Sequence, residues 1–151
     1  MTDIVSPEVR SRMMAANRRR DTKPELAVRR YLHGEGFRYR LDVRKLPGSP
    51  DLVLARYRAA IFVHGCYWHR HEGCRFAYNP KSNVEFWTAK FERNVERDAE
   101  AVGRLLEMGW RVATVWECAL RGHEPATVLV PLRKWILGKE TRFELPTRPP
   151  V

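Results

Sequence analysis

The sequence predicts an α/β or α+β fold in which helices flank a small mixed β-sheet. Three observations support this fold class: the length of 151 residues, a globular composition, and an apolar periodicity that alternates between helical and strand-like. Hydrophobic residues make up 44% and charged residues 30%, which excludes a disordered tail protein and a disulfide miniprotein. The length suits one domain, and the predicted order of elements is α-α-β-β-α-β-α.

Two helices are predicted near the N-terminus. Ser6 followed by Pro7 is typical of an N-cap and a first-turn proline, which indicates a short basic helix running toward Ala16. Residues 22–25, Thr-Lys-Pro-Glu, have the spacing of a capping box and predict the start of a second helix. Gly34, or the glycine two residues later, ends this helix.

The middle of the chain predicts strands and one long helix. Residues 51–55 and 59–63 are short apolar runs separated by Arg-Tyr-Arg, which indicates a β-hairpin or two adjacent core strands. Residues 83–108 have apolar side chains at intervals of mostly three and four, which predicts the longest helix, with Gly109 just beyond its end. Residues 110–116 predict a further strand.

The C-terminal region predicts one more helix and a tail. The Glu124-Pro125 pair begins this helix, and Pro131 should kink it. We therefore expect a basic arm over residues 1–20, a single folded domain over residues 21–138, and a flexible proline-rich tail over residues 139–151.

The charge of the chain points to a polyanionic partner. Lys and Arg number 28 against 18 Asp and Glu, which leaves a net charge of +10 and an isoelectric point near 10.1. Residues 1–45 hold 12 basic and six acidic side chains, and most of the basic ones are arginines, whose planar guanidinium suits phosphate recognition. This pattern favours nucleic acid as the partner, and the alternative is a solubilising surface.

Nothing in the sequence indicates a membrane protein. The longest uninterrupted apolar run covers residues 59–63, far short of the roughly 18 residues that a membrane span needs. The N-terminal residues lack the pattern of a secretory signal. We expect a cytoplasmic protein without membrane contact.

Residues 63–74 gather two of the three cysteines and three of the five histidines. Cys66, His71 and Cys74 are within reach of one another in a loop, and Cys118, just after the last predicted strand, can supply a fourth ligand. A Cys₃His set is typical of a structural, tetrahedral Zn²⁺ site. The alternative is a group of unliganded buried cysteines, because a cytoplasmic chain with an odd cysteine count disfavours disulfides.

Four further residues outside the zinc set can form an open catalytic site: Glu25, Asp51, His64 and His69. Asp51 follows a proline at the start of a strand and His64 ends the next strand, so a carboxylate and an imidazole can meet there. Mg²⁺ takes one or two carboxylates together with substrate phosphate, and a neutral histidine can transfer protons. The alternatives are that Glu25 only completes a capping box and that Asp51 only caps a turn.

At this point several motifs together resemble the very short patch repair (Vsr) DNA mismatch endonuclease family. The resemblance covers roughly residues 8–138. The family has a restriction-endonuclease-like fold and makes a Mg²⁺-dependent nick in one strand of duplex DNA beside a T:G mismatch. The motifs are RSRMM at 10–14, TKPE at 22–25, LPGSPD at 46–51, the segment 61–71, NVERD at 94–98, GWRV at 109–112 and VWEC at 115–118.

The resemblance implies roles for the candidate residues. Asp51 binds the catalytic Mg²⁺, His64 and His69 assist hydrolysis, and Glu25 is a further active-site acid. Val63 stands where a threonine occurs in the family, so its contact with Mg²⁺ would use the backbone carbonyl. The zinc ligands implied by the family are the same Cys66, His71, Cys74 and Cys118.

The resemblance also implies residues that contact DNA. Tyr67, Trp68 and Trp87 match an aromatic wedge that enters the base stack, although Trp87 also suits core packing on its helix. Arg121, with Glu117 nearby, stands where the family reads bases. The remaining implied DNA contacts are Met14, Arg18, Arg19, Arg20, Lys90 and Asn94.

The expected partner is double-stranded DNA with a T:G mismatch, bound by a monomer, with mismatch-repair proteins as candidate partners. Two alternatives stay open: a restriction-type nuclease that cuts matched or modified DNA, and a zinc-stabilised DNA-binding module without catalysis. The presence of Asp51, His64 and His69 argues against the second alternative.

Overall fold

The structure is a computed structural model, and it describes residues 22–147. The first predicted helix, the arm over residues 1–20, and the predicted DNA contacts Met14, Arg18, Arg19 and Arg20 lie outside the described residues. The helices are α1 (Lys23–Gly34), α2 (Val84–Glu107), α3 (Glu117–Leu120), α4 (Pro125–Val128) and α5 (Val130–Leu137). The strands are β1 (Arg40–Leu41), β2 (Leu52–Leu54), β3 (Ala59–His64), β4 (Arg111–Trp116) and β5 (Arg142–Leu145), with a 3₁₀ turn at Ala55–Tyr57.

The five strands form one mixed sheet in the order β1-β2-β3-β4-β5. β1, β2 and β3 are antiparallel neighbours, so the predicted hairpin and the predicted mixed sheet are both confirmed. β3, β4 and β5 are parallel. The start of β2 and the ends of β3, β4 and β5 therefore lie at the same edge, which we call the site edge.

Helix α1 confirms the predicted N-cap. The backbone N–H of Glu25 donates to the hydroxyl oxygen of Thr22 at 3.4 Å, and a proline occupies the first turn. The helix ends at Gly34, and Gly36 has a φ of +92°, a left-handed conformation that glycine adopts without a steric penalty. Val28 and Leu32 are fully buried against the sheet.

The two faces of the sheet carry different cores. In β3, Ala59, Ile61 and Val63 pack into a large apolar cluster with α1 and α5, while Ala60 and Phe62 pack with Leu105 of α2. This alternation follows from the two-residue repeat of a strand. His64 continues the series of Ala60 and Phe62, so the repeat places it on the α2 face.

Helix α2 confirms the long helix predicted over residues 83–108. It ends one residue before Met108, and Gly109 follows with a φ of +86°. Phe91, Ala101 and Leu105 are its buried residues, whereas Val95, which the predicted apolar stripe includes, is 44% exposed. Most of the N-terminal half of the helix therefore lies outside the apolar core.

Three features of the C-terminal and edge regions differ from the prediction. The last helix is not kinked at Pro131 but divided into α4 and α5, with Pro131 in the first turn of α5, where its missing N–H has no helical partner to lose. The segment 139–151, predicted as a flexible tail, contributes strand β5, which pairs with β4. The two-residue strand β1 was not predicted.

No helix among residues 22–147 combines the length and the apolar character needed to cross a membrane.

Candidate active site

A cleft of about 640 Å³ opens at the site edge. Its lining residues come from segments that are far apart in the sequence, from the start of α1 to the residue that follows α3. The antiparallel start of β2 and the parallel end of β3 account for this convergence. The predicted site residues that line the cleft are Glu25, Asp51, Val63, His64, Tyr67, Trp68, His69, Asn94 and Arg121.

Asp51 is a largely buried carboxylate next to the end of β3. Its Oδ2 accepts a hydrogen bond from the backbone N–H of Val63 at 2.7 Å. The pKa of Asp51 is raised to about 7: burial is the largest cause and the carboxylates of Glu25 and Asp42 add to it, while the Val63 N–H and the charge of His69 act in the opposite direction. A buried carboxylate whose negative charge is only weakly balanced by neighbouring positive charge is a suitable ligand for a divalent cation.

Glu25 is buried and forms an ion pair within its own helix. Its carboxylate lies 3.2 Å from the guanidinium of Arg29, one helical turn later. The N-cap of α1 uses the backbone N–H of Glu25 and the side chain of Thr22. The side chain of Glu25 lines the cleft, where its charge acts on Asp51.

His64 and His69 form a stacked pair on the α2 side of the cleft. Their ring centroids are 3.7 Å apart and the ring planes differ by 10°. His64 is 9% exposed, and burial, followed by the charge of His69, lowers its pKa well below the usual value. His64 is therefore held as a neutral imidazole.

Asp98 is a functional candidate that the sequence analysis missed. Its Oδ2 lies 2.6 Å from Nδ1 of His69. With Nδ1 engaged by a carboxylate, Nε2 is the ring nitrogen of His69 left for a substrate or water. The sequence contains a signal for Asp98, because it lies on the same helical stripe as Phe91, Ala101 and Leu105. A carboxylate on an otherwise apolar stripe needs a partner.

The ligand atoms of His64, His69 and Asp98 lie within 4.8 Å of one another. The ring geometry nevertheless disfavours one ion bound by both histidines. An imidazole lone pair lies in the ring plane, so two parallel stacked rings cannot both direct a lone pair at the same ion. We therefore interpret this group, called the cleft cluster below, as an arrangement for proton transfer.

A second cluster contains the four predicted zinc ligands, Cys66, His71, Cys74 and Cys118. Their ligand atoms all lie within 4.8 Å of one another. Nδ1 of His71 is 3.7 Å from Sγ of Cys66 and 3.4 Å from Sγ of Cys118. Tetrahedral Zn²⁺ with ordinary Zn–S and Zn–N bonds separates such ligands by about 3.5 Å. The four residues, called the Cys₃His cluster below, can therefore hold one metal ion.

The surroundings of the Cys₃His cluster support this assignment. Burial and the neighbouring sulfurs raise the pKa of the Cys66 thiol, a condition that a bound cation reverses by stabilising thiolates. The backbone N–H of Cys66 donates to Oε1 of Glu117 at 3.1 Å. Glu117, predicted near the base-reading position, thus contacts the loop that carries the metal ligands.

Trp116 lies between the two clusters. Its indole stacks on His71 with centroids 4.3 Å apart and meets His64 edge-on at 5.4 Å. The indole N–H donates to Oε1 of Glu144 in β5 at 2.6 Å. Strand β5, in the segment predicted as a flexible tail, therefore holds in place the Trp116 indole that separates the two clusters.

The predicted wedge residues form an aromatic cluster at one side of the cleft. Tyr67 and Trp68 are 5.0 Å apart, and Trp68 is 5.9 Å from Trp87. The side-chain amide of Asn94 donates to the backbone carbonyl of Trp68 at 3.2 Å, which fixes the loop on α2. Trp87 is only partly buried and belongs to neither apolar core cluster, contrary to the core-packing alternative.

Two cationic side chains that are predicted to contact DNA lie over aromatic rings. The guanidinium carbon of Arg121 lies 4.2 Å from the centroid of Phe76, and Nζ of Lys90 lies 5.6 Å from that of Trp87. Arg121 lines the cleft and is exposed. Stacking of this kind restricts the side chain while leaving guanidinium N–H groups free to donate.

Comparison with known proteins gives a consistent result. Residues 2–75 match the profile of the family described as DNA mismatch endonuclease Vsr. The chain is 42% identical to the DNA mismatch endonuclease Vsr of Escherichia coli (strain K12) over 151 residues, which covers 98% of this chain and 96% of that protein. It is 48% identical over 120 residues to the type II nicking enzyme V.XorIIP of Xanthomonas oryzae pv. oryzae, covering 80% and 88% of the two chains.

Proposed function

The chain belongs to the DNA mismatch endonuclease Vsr family, and we propose that it nicks one strand of duplex DNA beside a T:G mismatch in a Mg²⁺-dependent reaction. The observation that carries this proposal is the shared cleft. It joins the buried carboxylate of Asp51, the imidazoles of His64 and His69, and the aromatic side chains of Tyr67 and Trp68. A mismatch endonuclease needs these three kinds of group together.

Asp51 and the backbone carbonyl of Val63 are the proposed Mg²⁺ ligands. The raised pKa of Asp51 supports this assignment, because it reflects a buried negative charge next to two other carboxylates. When bound, the ion supplies Lewis-acid polarisation of the scissile phosphate. Glu25 adds negative potential to the same site without leaving its ion pair with Arg29.

His69 is the proposed proton-transfer residue, and Asp98 is its positioning residue. The contact of Asp98 with Nδ1 orients the ring, so that Nε2 faces water or the leaving oxygen and can exchange a proton with it. The buried, neutral His64 limits the rotation of His69 through the stacked contact and can itself donate a hydrogen bond to a phosphate oxygen.

Mismatch recognition is assigned to the aromatic cluster. Opening a base step costs a few kcal/mol, and it costs least where pairing is already poor. Each aromatic face inserted into the stack returns roughly 1 to 3 kcal/mol, so Tyr67, Trp68 and Trp87 can offset the opening at a mismatch more easily than at a matched pair. The proposed polar contacts are Lys90 and Asn94, which lie against Trp87 and Trp68, and Arg121, which lines the same cleft.

The Cys₃His cluster is the proposed structural Zn²⁺ site. Trp68 and His69 belong to the same irregular loop as Cys66 and His71, and this loop consists of turns without helix or strand. A bound ion would stabilise it where the apolar core does not reach. The restriction-endonuclease-like fold, the monomeric state, the cytoplasmic location and contact with mismatch-repair proteins stay predictions from the resemblance.

A nicking assay on a panel of duplexes with identical flanks tests this function. We expect Mg²⁺-dependent cleavage of one strand at T:G and little cleavage of matched duplex or other mismatches. Asp51→Asn should bind the T:G duplex without nicking it. Equal cleavage of matched duplex would instead support a restriction-type nuclease, and binding without cleavage by the wild-type protein would support a DNA-binding module.

A further inference from the structure

The loop over residues 42–51 lies at the site edge but contains candidate residues only at its C-terminal end. It joins β1 to β2, and its ends meet, because the backbone N–H of Asp42 donates to the carbonyl of Asp51 at 3.2 Å. Leu41 pairs with Leu52 in the sheet. The loop therefore begins and ends next to the proposed Mg²⁺ ligand.

Two hydrogen bonds within this loop fix its shape, and two apolar contacts hold it against α2. The backbone N–H of Leu46 donates to Val43 at 3.2 Å, that of Ser49 donates to Leu46 at 3.0 Å, and the side chain of Leu46 packs into the α2 core. Gly48 approaches α2 so closely that a Cβ there would lie 2.6 Å from the Cβ of Ala101. The loop is therefore a fixed platform.

Arg44 and Lys45 are the exposed cations of this platform. Within residues 22–147, neither side chain forms a hydrogen bond or an ion pair. Gly48 and Ser49 line the cleft, and three residues of chain span at most about 11 Å, so Lys45 lies within that distance of the cleft wall. Two unpaired positive charges are thus held close to the cleft.

We propose that Arg44 and Lys45 form a phosphate-binding site for the DNA backbone beside the cleft. The proposal rests on the proposed function, which makes duplex DNA the substrate. Backbone phosphates carry regularly spaced negative charge, and cations on a fixed platform set the position of the duplex without reading its sequence. Arg44 can accept a phosphate through two parallel N–H donors, while Lys45 acts as a point charge.

The salt dependence of DNA binding tests this site. The double variant Arg44→Ala/Lys45→Ala should reduce the log–log salt slope of binding by up to about 2, at roughly 0.9 per lost phosphate contact. The reduction should be the same on matched and T:G duplexes, because phosphates carry no mismatch information. Thermal unfolding of the variant should match wild type, since both side chains are exposed.

A matched control removes the same charge at the opposite edge of the sheet. Lys139 and Arg142 are exposed, and Arg142 pairs with Val112 near the start of β4, far along the strands from the site edge. The variant Lys139→Ala/Arg142→Ala should leave the slope unchanged. Equal reductions in the two double variants would show a general effect of net charge and overturn the proposal, as would an unchanged slope for Arg44→Ala/Lys45→Ala.

Neutral methylphosphonate substitutions, placed one at a time along the duplex, locate the contact. At one or two positions, the methylphosphonate should weaken DNA binding by the wild-type protein. At the same positions, it should not further weaken DNA binding by the Arg44→Ala/Lys45→Ala variant. Identical profiles for the two proteins would contradict a local phosphate contact. These measurements need no nicking and no preference for T:G, so failure of the proposed function and failure of this site would be distinguished.

Discussion

The Cys₃His cluster and the cleft cluster lie side by side at the site edge, and they differ in their ligand atoms and in the orientation of those ligands. The first offers three sulfurs and one imidazole at separations suited to a tetrahedral ion. The second offers two parallel imidazoles and a carboxylate that already contacts one of them at 2.6 Å. Trp116 contacts a histidine of each cluster.

The difference shows how one short segment can serve two purposes. Residues 64–74 supply histidines to both clusters, and the environment of each histidine, rather than its residue type, decides its role. His71 lies among sulfurs and stacks on a buried indole, whereas His69 opens to the cleft and contacts Asp98. The Cys₃His cluster should therefore maintain the fold, and the cleft cluster should carry out hydrolysis.

His69→Ala should separate the two clusters most clearly. Loss of a proton-transfer group should lower the single-turnover nicking rate by roughly 10²- to 10⁴-fold, while the metal content of the Cys₃His cluster stays constant. Rates on a T:G duplex and elemental analysis of the same sample measure both quantities. A variant that loses its metal together with its activity would show that the clusters are not independent.

Cys74→Ala should have the opposite effect to His69→Ala: it should lower the stability of the protein and not act on the proton-transfer step. Removing one ligand of a structural ion should destabilise the protein by several kcal/mol, because the ion contributes folding free energy. Denaturant unfolding, compared with His69→Ala as the reciprocal control, measures the difference. If Cys74→Ala unfolds at the wild-type midpoint while still nicking DNA, the Cys₃His cluster has no structural role.

Asp51→Asn should stabilise the protein at pH 8 when divalent cations are absent. The pKa of Asp51 is raised to about 7, so above that pH the folded state holds a buried charge that asparagine removes. The gain, on the order of 2 to 4 kcal/mol, should shrink as the pH falls from about 7 toward 4 and the folded carboxyl takes up its proton.

The control for this prediction is Glu140→Gln, an exposed carboxyl just before β5, which should show no such pH-dependent gain. Added Mg²⁺ should stabilise the wild type and not Asp51→Asn. A wild-type protein that is more stable than Asp51→Asn at pH 8 without divalent cations would contradict the assignment of Asp51 as an uncompensated charge.

Asp98→Asn should slow nicking by roughly 10- to 100-fold, by analogy with the loss of the carboxylate partner of a metal-bound histidine. As a positioning residue, Asp98 should affect the rate at saturating enzyme and leave DNA affinity unchanged. Glu100→Gln, an exposed position two residues later on α2, is the matched control. A change in affinity without a change in rate would assign Asp98 to DNA binding.

Trp68→Ala should change mismatch recognition and not the chemical step. Loss of one stacking face should reduce the preference for T:G over matched duplex by roughly 1 to 3 kcal/mol. Paired binding curves on duplexes with identical flanks measure the preference, and Trp110→Ala, at the opposite edge of the sheet, should leave it unchanged. Full T:G preference in Trp68→Ala would place mismatch recognition elsewhere.

Local sequence patterns predicted the parts of the fold that local forces determine. The cap at Thr22, the hairpin around residues 56–58 and the end of α2 before Gly109 are all confirmed. Strand β5 was missed because a run of four residues is too short to stand out in the sequence, and because it forms by pairing with the distant β4. The break between α4 and α5 was missed because Pro131 fits either a kink or a first turn.

The candidate site was predictable where residue types are distinctive and was missed where only position matters. Cysteines and histidines in one short segment predicted the Cys₃His cluster, whose four residues the structure brings together. Asp98 belongs to a helix rich in charged residues, so only its place on the buried stripe marks it. Likewise, the hydrogen bond that Trp116 donates to Glu144 depends on a strand that the sequence analysis did not predict.

The most direct test of this division of roles compares nicking with metal content in one sample. Protein with its Cys₃His cluster loaded with Zn²⁺ is placed in Mg²⁺-free buffer with a T:G duplex, and Mg²⁺ is then titrated in while bound zinc is measured. We expect no nicking at first, then single-turnover cleavage that rises with Mg²⁺ at constant zinc content. Nicking by the zinc-loaded protein without Mg²⁺, or a rate that follows zinc content, would contradict the account.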